Sequence, residues 1–318
     1  MLNPLYMKPV IPPVDSALLE QELEGHLLRP SNKADNLIYD ITAHECPNVM
    51  REIARLRELS YRAGGGATGN EMDMDEMDTM TRPYHQLIVW NPERRQIIGG
   101  YRYLMGAEAE VRNGQPFITS AHLFRYSERF IREYLPYTIE LGRAFVQPEY
   151  QNLETGGVKA LFALDNVWDG IGAVLYNHPE LKWMIGKVTI YPDYNPVARE
   201  MLYAFLYRFH KGEEGLFEPY HPLKNEQAAN DKAVHVFEGD DAETNYHLLL
   251  HALREQGTVI PPMFSAYLNL TNDLQCFGNA INDELANVYE TGIMVEVDKI
   301  LPQKKERYIN SYIEWLEK

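Results

Sequence analysis

The stretch from His85 to Gly106 constrains the fold more than any other part of the sequence. Two mostly apolar runs, HQLIVW and QIIGGYRYLMG, flank the short segment NPERR. Asparagine, proline and charged residues between two apolar runs are typical of the turn that joins neighbouring strands. The stretch therefore predicts a β-hairpin and places a sheet near the middle of the chain.

Strand and helix patterns alternate around this hairpin. Apolar periodicity and turn residues predict a strand over residues 36–43, a helix that begins near 47 and ends at the glycines 64–66, the hairpin, a helix over 121–134, a strand from 139, a helix from 156, a strand over 182–192 and a helix over 195–210. This order predicts an α/β (α+β) fold with a mixed central sheet flanked by helices.

Three regions are distinguished by composition. Residues 1–35 are rich in proline and predict an irregular N-terminal strap lying on the body. Residues 36–215 contain the alternating elements and form the predicted core. Residues 216–318 form a C-terminal extension, which opens with a charged, loop-rich stretch from Leu216 to Glu243.

Charge and hydropathy exclude several classes of protein. The net charge of −16 disfavours nonspecific binding to nucleic acid and to anionic lipid headgroups. No run approaches the roughly 18 apolar residues of a membrane span, and the N-terminus has no basic segment followed by an apolar run. Cys46 and Cys276 are the only cysteines, which fits a reducing compartment. We expect a cytoplasmic protein with at most peripheral membrane contact and no nucleic-acid partner.

The strand that opens with Ile139 carries a carboxylate and a guanidinium within an apolar run. Glu140 and Arg143 are three residues apart, so on a regular strand they would point to opposite faces. Gly142 between them is a natural position for a β-bulge, which leaves backbone N–H groups without ladder partners. Such groups can stabilise charge on a carbonyl oxygen, and a nearby carboxylate can accept a proton from an amine. The alternative interpretation is a structural ion pair at a sheet edge.

Two further patterns lie near this strand. Gly156 and Gly157, at the start of a predicted helix, would offer open amides to a phosphate, although paired glycines also occur in ordinary loops. The acidic run DMDEMD contains Asp75 and Asp78 but lacks the glycine and closing glutamate of a calcium loop, so no metal site is predicted. It is either a solvated loop or, beside Arg102 of the hairpin, a carboxylate cluster that orders a flap or binds an ammonium group.

These motifs occur in an order that resembles one branch of the GNAT superfamily. They are R-x-x-x-[FY] at Arg57 to Tyr61, D-E-x-D at Asp75 to Asp78, the IGGYRYL strand with Arg102, and E-L-G-R at Glu140 to Arg143. The chain resembles the acyl-homoserine-lactone synthases and, more closely, the ornithine-lipid type N-acyltransferases, which are often labelled hemolysin. The segments GTVIPPMFSAYLNL and FGNAINDE are similar to that group as well, and the resemblance covers residues 36–298.

The resemblance implies a reaction and a set of site residues. A fatty acyl group, often 3-hydroxylated, would move from the phosphopantetheine of acyl carrier protein, or from acyl-CoA, to the α-amine of an amino acid, without a tightly bound cofactor. The product would be an N-acyl amino acid, a precursor of an amino-acid lipid, and the C-terminal extension would complete the site. The implied roles are catalysis for Glu140 and Arg143, the acceptor pocket and flap for Arg57, Tyr61, Asp75, Asp78 and Arg102, and the donor for Phe145, Val146, Gly156 and Gly157.

The identity of the general acid depends on the helix NPVAREMLYAFLY. It is similar to an Asn…Tyr helix of the superfamily, with spacing one residue longer. Tyr203 on this helix is one candidate for the proton donor to the leaving thiolate, with aromatic packing as the alternative interpretation. Tyr191 and Tyr194 are interpreted as packing residues that could take the same role.

An acidic carrier protein would need a basic surface on a chain that is itself acidic. Arg125, Arg129 and Arg132 would share one face of the predicted helix over 121–134. Arg94 and Arg95, at the hairpin turn, are a second candidate. Both sets are equally well interpreted as solvated surface charge.

Three other functions stay open from the sequence. One is a small-molecule acetyltransferase or signal synthase that uses acetyl-CoA or acyl-CoA, but the Gln/Arg-x-x-Gly-x-Gly/Ala signature is absent. A membrane-lytic protein would need an exposed amphipathic segment, which the sequence lacks. A catalytically inactive lipid-binding relative is the third.

Overall fold

The computed structural model of the protein describes residues 7 to 223 and 236 to 318. The predicted loop-rich stretch from Leu216 to Glu243 is therefore described only in part, and residues 224–235 lie outside the described chain. No helix within the described residues is long and apolar enough to cross a membrane.

Eight strands form one mixed sheet at the centre of the fold. Its spatial order is β1-β2-β3-β4-β8-β9-β12-β11, and every neighbouring pair is antiparallel except β8 and β9, which are parallel. The strands of the sheet are β1 Leu27–Pro30, β2 Leu37–Ile41, β3 His85–Asn91, β4 Gln96–Met105, β8 Thr138–Val146, β9 Trp183–Ile190, β11 Gln275–Asn282 and β12 Val288–Glu296. Two small ribbons pair β5 Val111–Arg112 with β6 Gln115–Pro116 and β7 Phe124–Tyr126 with β10 Phe217–Pro219.

Helices cover both faces of this sheet. Their bounds are α1 Ser16–Leu23, α2 Pro47–Gly64, α3 Glu76–Thr79, α4 Leu153–Asn177, α5 Pro196–Phe209, α6 Ala242–Glu255, α7 Pro262–Leu268, α8 Pro302–Lys305 and α9 Ser311–Leu316. The largest apolar cluster joins one sheet face to α4, α5, α6 and α7. Two smaller clusters cover the opposite face, one under α1 and α2 and the other under the segment 118–135.

Strong apolar periodicity predicted most of these elements correctly. The hairpin is β3 and β4, and the predicted strands and helices on either side of it are β2, α2, β8, α4, β9 and α5. Helix α2 has a proline in its first turn and ends at Gly65, whose left-handed φ of 83° suits glycine. The predicted fold class, a mixed sheet flanked by helices, is confirmed.

The predicted helix over residues 121–134 is wrong. This segment contains a 3₁₀ turn (Thr119–His122), strand β7 and a π-helical turn (Phe130–Tyr134). Its aromatic residues pack with Phe217 and Phe277, whose rings stack at 3.9 Å between centroids, and β7 pairs with β10. Tertiary packing of aromatic residues outweighs local helix propensity here.

The predicted strap and extension both supply strands to the central sheet. Strand β1 pairs with β2 at one end, and β12 and β11 continue the sheet beyond β9 at the other. The N-terminal part is also more regular than expected, because Ser16–Leu23 forms a helix capped by the Asp15 side chain. The boundaries near residues 35 and 215 therefore do not separate a core from appendages.

Candidate active site

One face of the central sheet carries a row of polar side chains where an apolar core would be expected. The row runs across five strands through Gln86, Arg102, Glu140, Lys187 and Glu290, which the pairing registers and the alternation of side chains place on the same face. All five are almost fully buried. Buried charges are costly unless they are paired, so a row of them indicates a functional surface.

A large cavity opens along the part of this row that contains Glu140, Lys187 and Glu290. Its volume is about 1360 Å³, above the range of roughly 300–1,000 Å³ that is usual for ligand pockets. Its walls come from α2, β8, β9, α4, residues 256–263 and residues 282–290. The two C-terminal segments singled out in the sequence, around Pro261 and around Asn282, therefore both reach the cavity.

Strand β8 separates from β9 beside this cavity. Their parallel pairing runs from Thr138 and Trp183 to Leu141 and Gly186 and then stops, while β9 stays paired with β12 as far as Ile190. The outer half of β8 therefore has no partner on its β9 side among the described residues. The gap between the two strands is a place where a ligand can meet the β8 backbone.

The predicted bulge is present in β8, one residue later than expected. Arg143 and Ala144 together lie opposite the single residue Tyr101 of β4, and Arg143 adopts a left-handed φ of 52°. A β-carbon on Gly99 of β4 would lie 2.4 Å from the Phe145 carbonyl oxygen, so glycine is required for this close approach. The bulge directs the Arg143 side chain toward the acidic segment 73–78.

Tyr61 of α2 stabilises the bulged backbone. Its hydroxyl donates a hydrogen bond to the Ala144 carbonyl oxygen at 3.1 Å. Burial raises the pKa of Tyr61, so the phenol stays protonated and acts as a donor. Tyr61 also lines the cavity, although the hydrogen bond of its hydroxyl is to the protein backbone.

Three arginines and three aspartates form an ion-pair cluster at the cavity wall, where Asp73, Asp75 and Arg143 line the cavity. Arg102 binds Asp75 at 2.8 Å and Asp78 at 3.0 Å. Arg57 binds Asp78 at 3.1 Å, and Arg143 binds Asp73 at 2.8 Å and Asp75 at 3.3 Å. The acidic run is therefore not a solvated loop: Asp75 caps the short helix α3, and the cluster fixes α3 against the sheet.

Only some of the predicted acceptor-binding residues reach the cavity. Tyr61 and Asp75 line the cavity, whereas the cavity lining within the described chain does not include Arg57, Asp78 or Arg102. These three are at most 1% exposed, and each is bonded to other members of the cluster. These positions indicate that the three residues stabilise the site rather than contact a substrate directly.

Glu140 is held by four hydrogen bonds. Its carboxylate accepts from the backbone N–H groups of Thr119 (3.0 Å) and Ser120 (2.7 Å), from the Ser120 hydroxyl (2.5 Å) and from the Tyr84 hydroxyl. The residue is 2% exposed. Although Glu140 borders the cavity, its carboxylate is occupied in anchoring the 3₁₀ turn Thr119–His122. This geometry favours a positioning role over direct proton abstraction.

Sequence reasoning missed several polar residues that line the cavity, among them Asp73, His122, Lys187 and Glu290. Lys187 and Glu290 form a buried ion pair at 2.6 Å. Each of these two charged residues interrupts an apolar strand. The same pattern drew attention to Glu140 and could have identified Lys187 and Glu290 as well. His122 carried no such signal, because its segment was interpreted as a helix.

The predicted donor residues are only partly at the cavity. Phe145 and Val146 line it. Gly156 and Gly157 are absent from the lining formed by the described chain, and the Gly156 N–H donates to the Asn152 carbonyl oxygen at 2.9 Å, so this amide is not free for a phosphate. Helix α4 is interrupted at Gly157, whose φ of 58° is left-handed.

Tyr203 is not placed to protonate a leaving group in this cavity. It is 6% exposed, packs in the main apolar core and borders a separate small pocket with Cys276. Tyr191 and Tyr194 do line the large cavity. Burial raises the pKa of Tyr191 to about 12, so its hydroxyl is protonated at neutral pH.

Neither predicted basic patch presents unpaired positive charge. Arg129 pairs with Glu133 and Glu213, and Arg125 and Arg132 pair with Glu218 and Glu133. The hairpin arginines behave likewise, since Arg94 pairs with Glu149 and Arg95 with Glu20. Because residues 121–134 do not form one helix, Arg125, Arg129 and Arg132 also do not share the helical face expected for them.

Comparison with known proteins gives full-length relatives. The chain is 47% identical over 310 residues to a glycine N(alpha)-acyltransferase of Bacteroides thetaiotaomicron, covering 97% of this chain and 91% of the relative. It is 45% identical over 311 residues to a protein of the same name from Phocaeicola vulgatus, covering 96% and 94%. Residues 56–158, which include α2, the hairpin and β8, match the family described as an acetyltransferase (GNAT) domain.

Among solved structures, the chain is similar to a CoA-dependent acyl-homoserine lactone synthase, BjaI, determined with SAM and isopentyl-CoA. The sequences are 12% identical, 87% of this chain and 89% of that chain are covered, and the TM-score is 0.33.

Proposed function

This chain belongs to the GNAT acyltransferases, in one family with the two glycine N(alpha)-acyltransferases, and we propose that it acylates the α-amine of glycine. The product would be an N-acylglycine, a precursor of a glycine lipid. The likeness at 47% identity over almost the whole of both chains is the observation that carries this proposal.

The cavity supports a fatty acyl group rather than an acetyl group as the transferred unit. Its volume of about 1360 Å³ lies above the roughly 300–1,000 Å³ that is usual for ligand pockets, which leaves room for a long acyl chain. Apolar side chains of α4 and of the segment 259–263 line one part of it, including Ala160, Leu164 and Met263. We place the acyl chain along this apolar wall.

The donor in this proposal is an acyl-phosphopantetheine group, carried by acyl carrier protein as the family resemblance implies. Its arm would enter the gap where β8 leaves β9, with the thioester oxygen toward the N–H groups of the bulge between Gly142 and Phe145. Backbone donors held in place by a rigid strand can stabilise the charge that develops on that oxygen. A 3-hydroxyl on the acyl chain is part of the same proposal.

Direct attack of the amine on the thioester suits the residues present. A covalent route through cysteine would require a reactive thiol, but Cys46 and Cys276 are both buried and lie outside the cavity lining of the described residues. Burial raises the pKa of Cys46 to about 12, which keeps the thiol protonated. In direct transfer, the new C–N bond forms as the C–S bond breaks, and no acyl-enzyme is needed.

The proposal is tested by measuring the turnover of the purified protein with two donors and several acceptors. The same 3-hydroxyacyl group is offered on acyl carrier protein and on CoA, against glycine, serine, ornithine and lysine. We expect N-acylglycine, identified by mass, to form with a kcat/KM at least about tenfold above that for serine, because a few extra side-chain atoms shift specificity by about 10–200-fold.

Three results would contradict parts of this proposal. Equal or faster acylation of ornithine or lysine would overturn glycine as the acceptor. A higher kcat/KM with the CoA thioester would overturn the carrier protein as the donor. Release of free fatty acid at the same rate with and without an acceptor would overturn acyl transfer itself.

A further inference from the structure

The amine of glycine is mostly an ammonium ion at neutral pH and has to lose a proton before it can attack. Among the described acidic and basic groups around the cavity, most are committed to other bonds. Glu140 accepts four hydrogen bonds, Asp73 and Asp75 pair with arginines, and Glu290 pairs with Lys187. Asp193 and Glu284 also line the cavity, with side chains exposed to solvent.

His122 is different, because one of its ring nitrogens is left as an acceptor inside the cavity. Its Nδ1 lies 2.5 Å from the Thr119 carbonyl oxygen. A carbonyl can only accept, so Nδ1 carries the proton of the neutral ring and Nε2 keeps its lone pair. The side chain is accessible and lines the cavity.

The turn that carries His122 is fixed beside the separation of β8 and β9. Glu140 anchors Thr119 and Ser120, as described above. The Thr119 side chain also lies 3.8 Å from the position that a β-carbon of Gly142 would occupy, one residue beyond the last paired residue of β8. Thr119 thus lies next to the place where we put the thioester, and the His122 ring is bonded to the Thr119 carbonyl oxygen.

A buried acceptor atom on the neighbouring wall points to a ligand that carries N–H groups. Asn282 is 5% exposed and lines the cavity. Its side-chain nitrogen donates to Glu290 at 3.4 Å, whereas its Oδ1 has no hydrogen-bond partner among the described residues. An ammonium group at this wall would satisfy that oxygen.

We propose that His122 is the general base of this enzyme and that Nε2 accepts a proton from the ammonium group of the acceptor amino acid. The inference rests on the proposed function. The ammonium group gives one proton to Nε2, forming an imidazolium that returns it to solvent. The neutral amine then attacks the acyl carbon, the C–S bond breaks, and the thiolate takes a second proton of the amine. One hydrogen remains on the amide nitrogen, so the protons balance.

The charged groups that face His122 favour the neutral ring. Desolvation by the surrounding protein, and next the Lys187 ammonium of β9, lower the pKa of His122, while Glu290 of β12 and Glu284 of the adjoining turn act in the opposite sense with smaller effect. A pKa below the usual value means that the ring is unprotonated at neutral pH and ready to accept.

The test compares the wild-type protein with H122N. The asparagine amide can reproduce the Nδ1–H bond to Thr119 but offers no base at the position of Nε2. We expect kcat/KM for glycine at about pH 7 to fall by about 10²–10⁴-fold, with the KM for the donor unchanged. The deficit should shrink as the pH rises toward about 9, because more of the glycine then arrives as the neutral amine.

The wild-type profile supplies a second readout. Its kcat/KM should fall as the pH drops through a value below about 6.5, where His122 becomes protonated, and H122N should lack this acid limb. The variant H122Q has a longer side chain that also lacks a base, and it should behave like H122N. Thermal melting of all three proteins checks that they are folded.

The outcomes separate the two proposals. If the wild-type protein is active and kcat/KM of H122N lies within about threefold of the wild-type value, His122 is not the base and the proposed function stands. The same conclusion follows if kcat/KM of H122N is reduced by a constant factor from about pH 7 to 9. A wild-type protein that acylates no amino acid at any pH would overturn the proposed function and this inference with it.

Discussion

Replacing Arg102 with methionine is expected to lower the free energy of unfolding by about 3–5 kcal/mol, a large share of the roughly 5–15 kcal/mol of a typical domain. The Arg102 side chain is fully buried and binds Asp75, Asp78 and the Thr119 hydroxyl. Methionine fills similar space but leaves Asp78, also fully buried, with only Arg57 as a cationic partner. Urea unfolding followed by circular dichroism measures the loss.

Arg112 provides the matched control for this prediction. It pairs with Glu76 and Glu110 but is 41% exposed. Because exposed ion pairs contribute about 0–1 kcal/mol, R112M should unfold almost as the wild type does. Equal losses for R102M and R112M would show that the cluster is not the buried support described above.

The effect of R102M should also depend on pH. Burial opposes the ionisation of Asp75, but Arg102 outweighs it and lowers the pKa of this carboxyl. An aspartate in the unfolded chain has a pKa of about 3.9. Because folding lowers the pKa of Asp75, the ionised carboxylate stabilises the folded state above about pH 4, and this contribution is lost as the pH falls from there toward the lowered pKa. The gap between wild type and R102M should therefore narrow on acidification through about pH 4. A gap that widens there would contradict the pairing.

Replacing Glu140 with glutamine is expected to lower kcat by about 10²-fold, the size of effect that a displacement of about 1 Å has at an active site. The carboxylate accepts four hydrogen bonds, two of them from backbone N–H groups. A glutamine amide would point its NH₂ group at one of these donors, so one buried N–H would lose its partner at a cost of about 1–3 kcal/mol. The turn that carries His122 would shift as a result.

The pH profile separates this positioning role from a role as base. If Glu140 only holds the turn, E140Q should be slower than wild type by a similar factor over the whole range from about pH 7 to 9. If Glu140 itself takes the proton, the deficit should disappear at high pH, as we expect for H122N. Turnover of E140Q within about threefold of wild type would contradict both roles.

The elements with strong local patterns could be predicted from the sequence, and those that depend on distant contacts could not. Alternating and helical periodicity predicted the hairpin, α2 and the strand with Glu140. The pairing of β12 with β9 joins residues about a hundred positions apart, which leaves no local signal. The segment after His122 was misinterpreted because its aromatic residues pack with a distant strand rather than along a helix.

The same distinction holds for the site. Charged residues inside an apolar strand identified Glu140 and Arg143, because a buried charge is costly unless it is paired and therefore indicates a special role. Their partners could not be assigned, since Asp73 and Asp75 differ by two positions in one acidic run and only the fold places both of them against Arg143. Tyr203 was chosen because its helix is similar to the Asn…Tyr helix of the superfamily, but the structure places this residue in the apolar core.

The proposed reaction requires the acyl thioester to lie where β8 separates from β9. A stable donor analogue tests this directly: a methylene replaces the thioester sulfur, and a diazirine on the acyl chain, next to the carbonyl, allows photochemical labelling followed by peptide mapping. We expect the label on Gly142 to Val146 of β8 and on Lys187 to Ile190 of β9, and we expect excess acyl carrier protein bearing the natural thioester to prevent it. Labelling confined to other surfaces, such as the small pocket beside Tyr203 and Cys276, or labelling that the natural donor does not reduce, would contradict the claim.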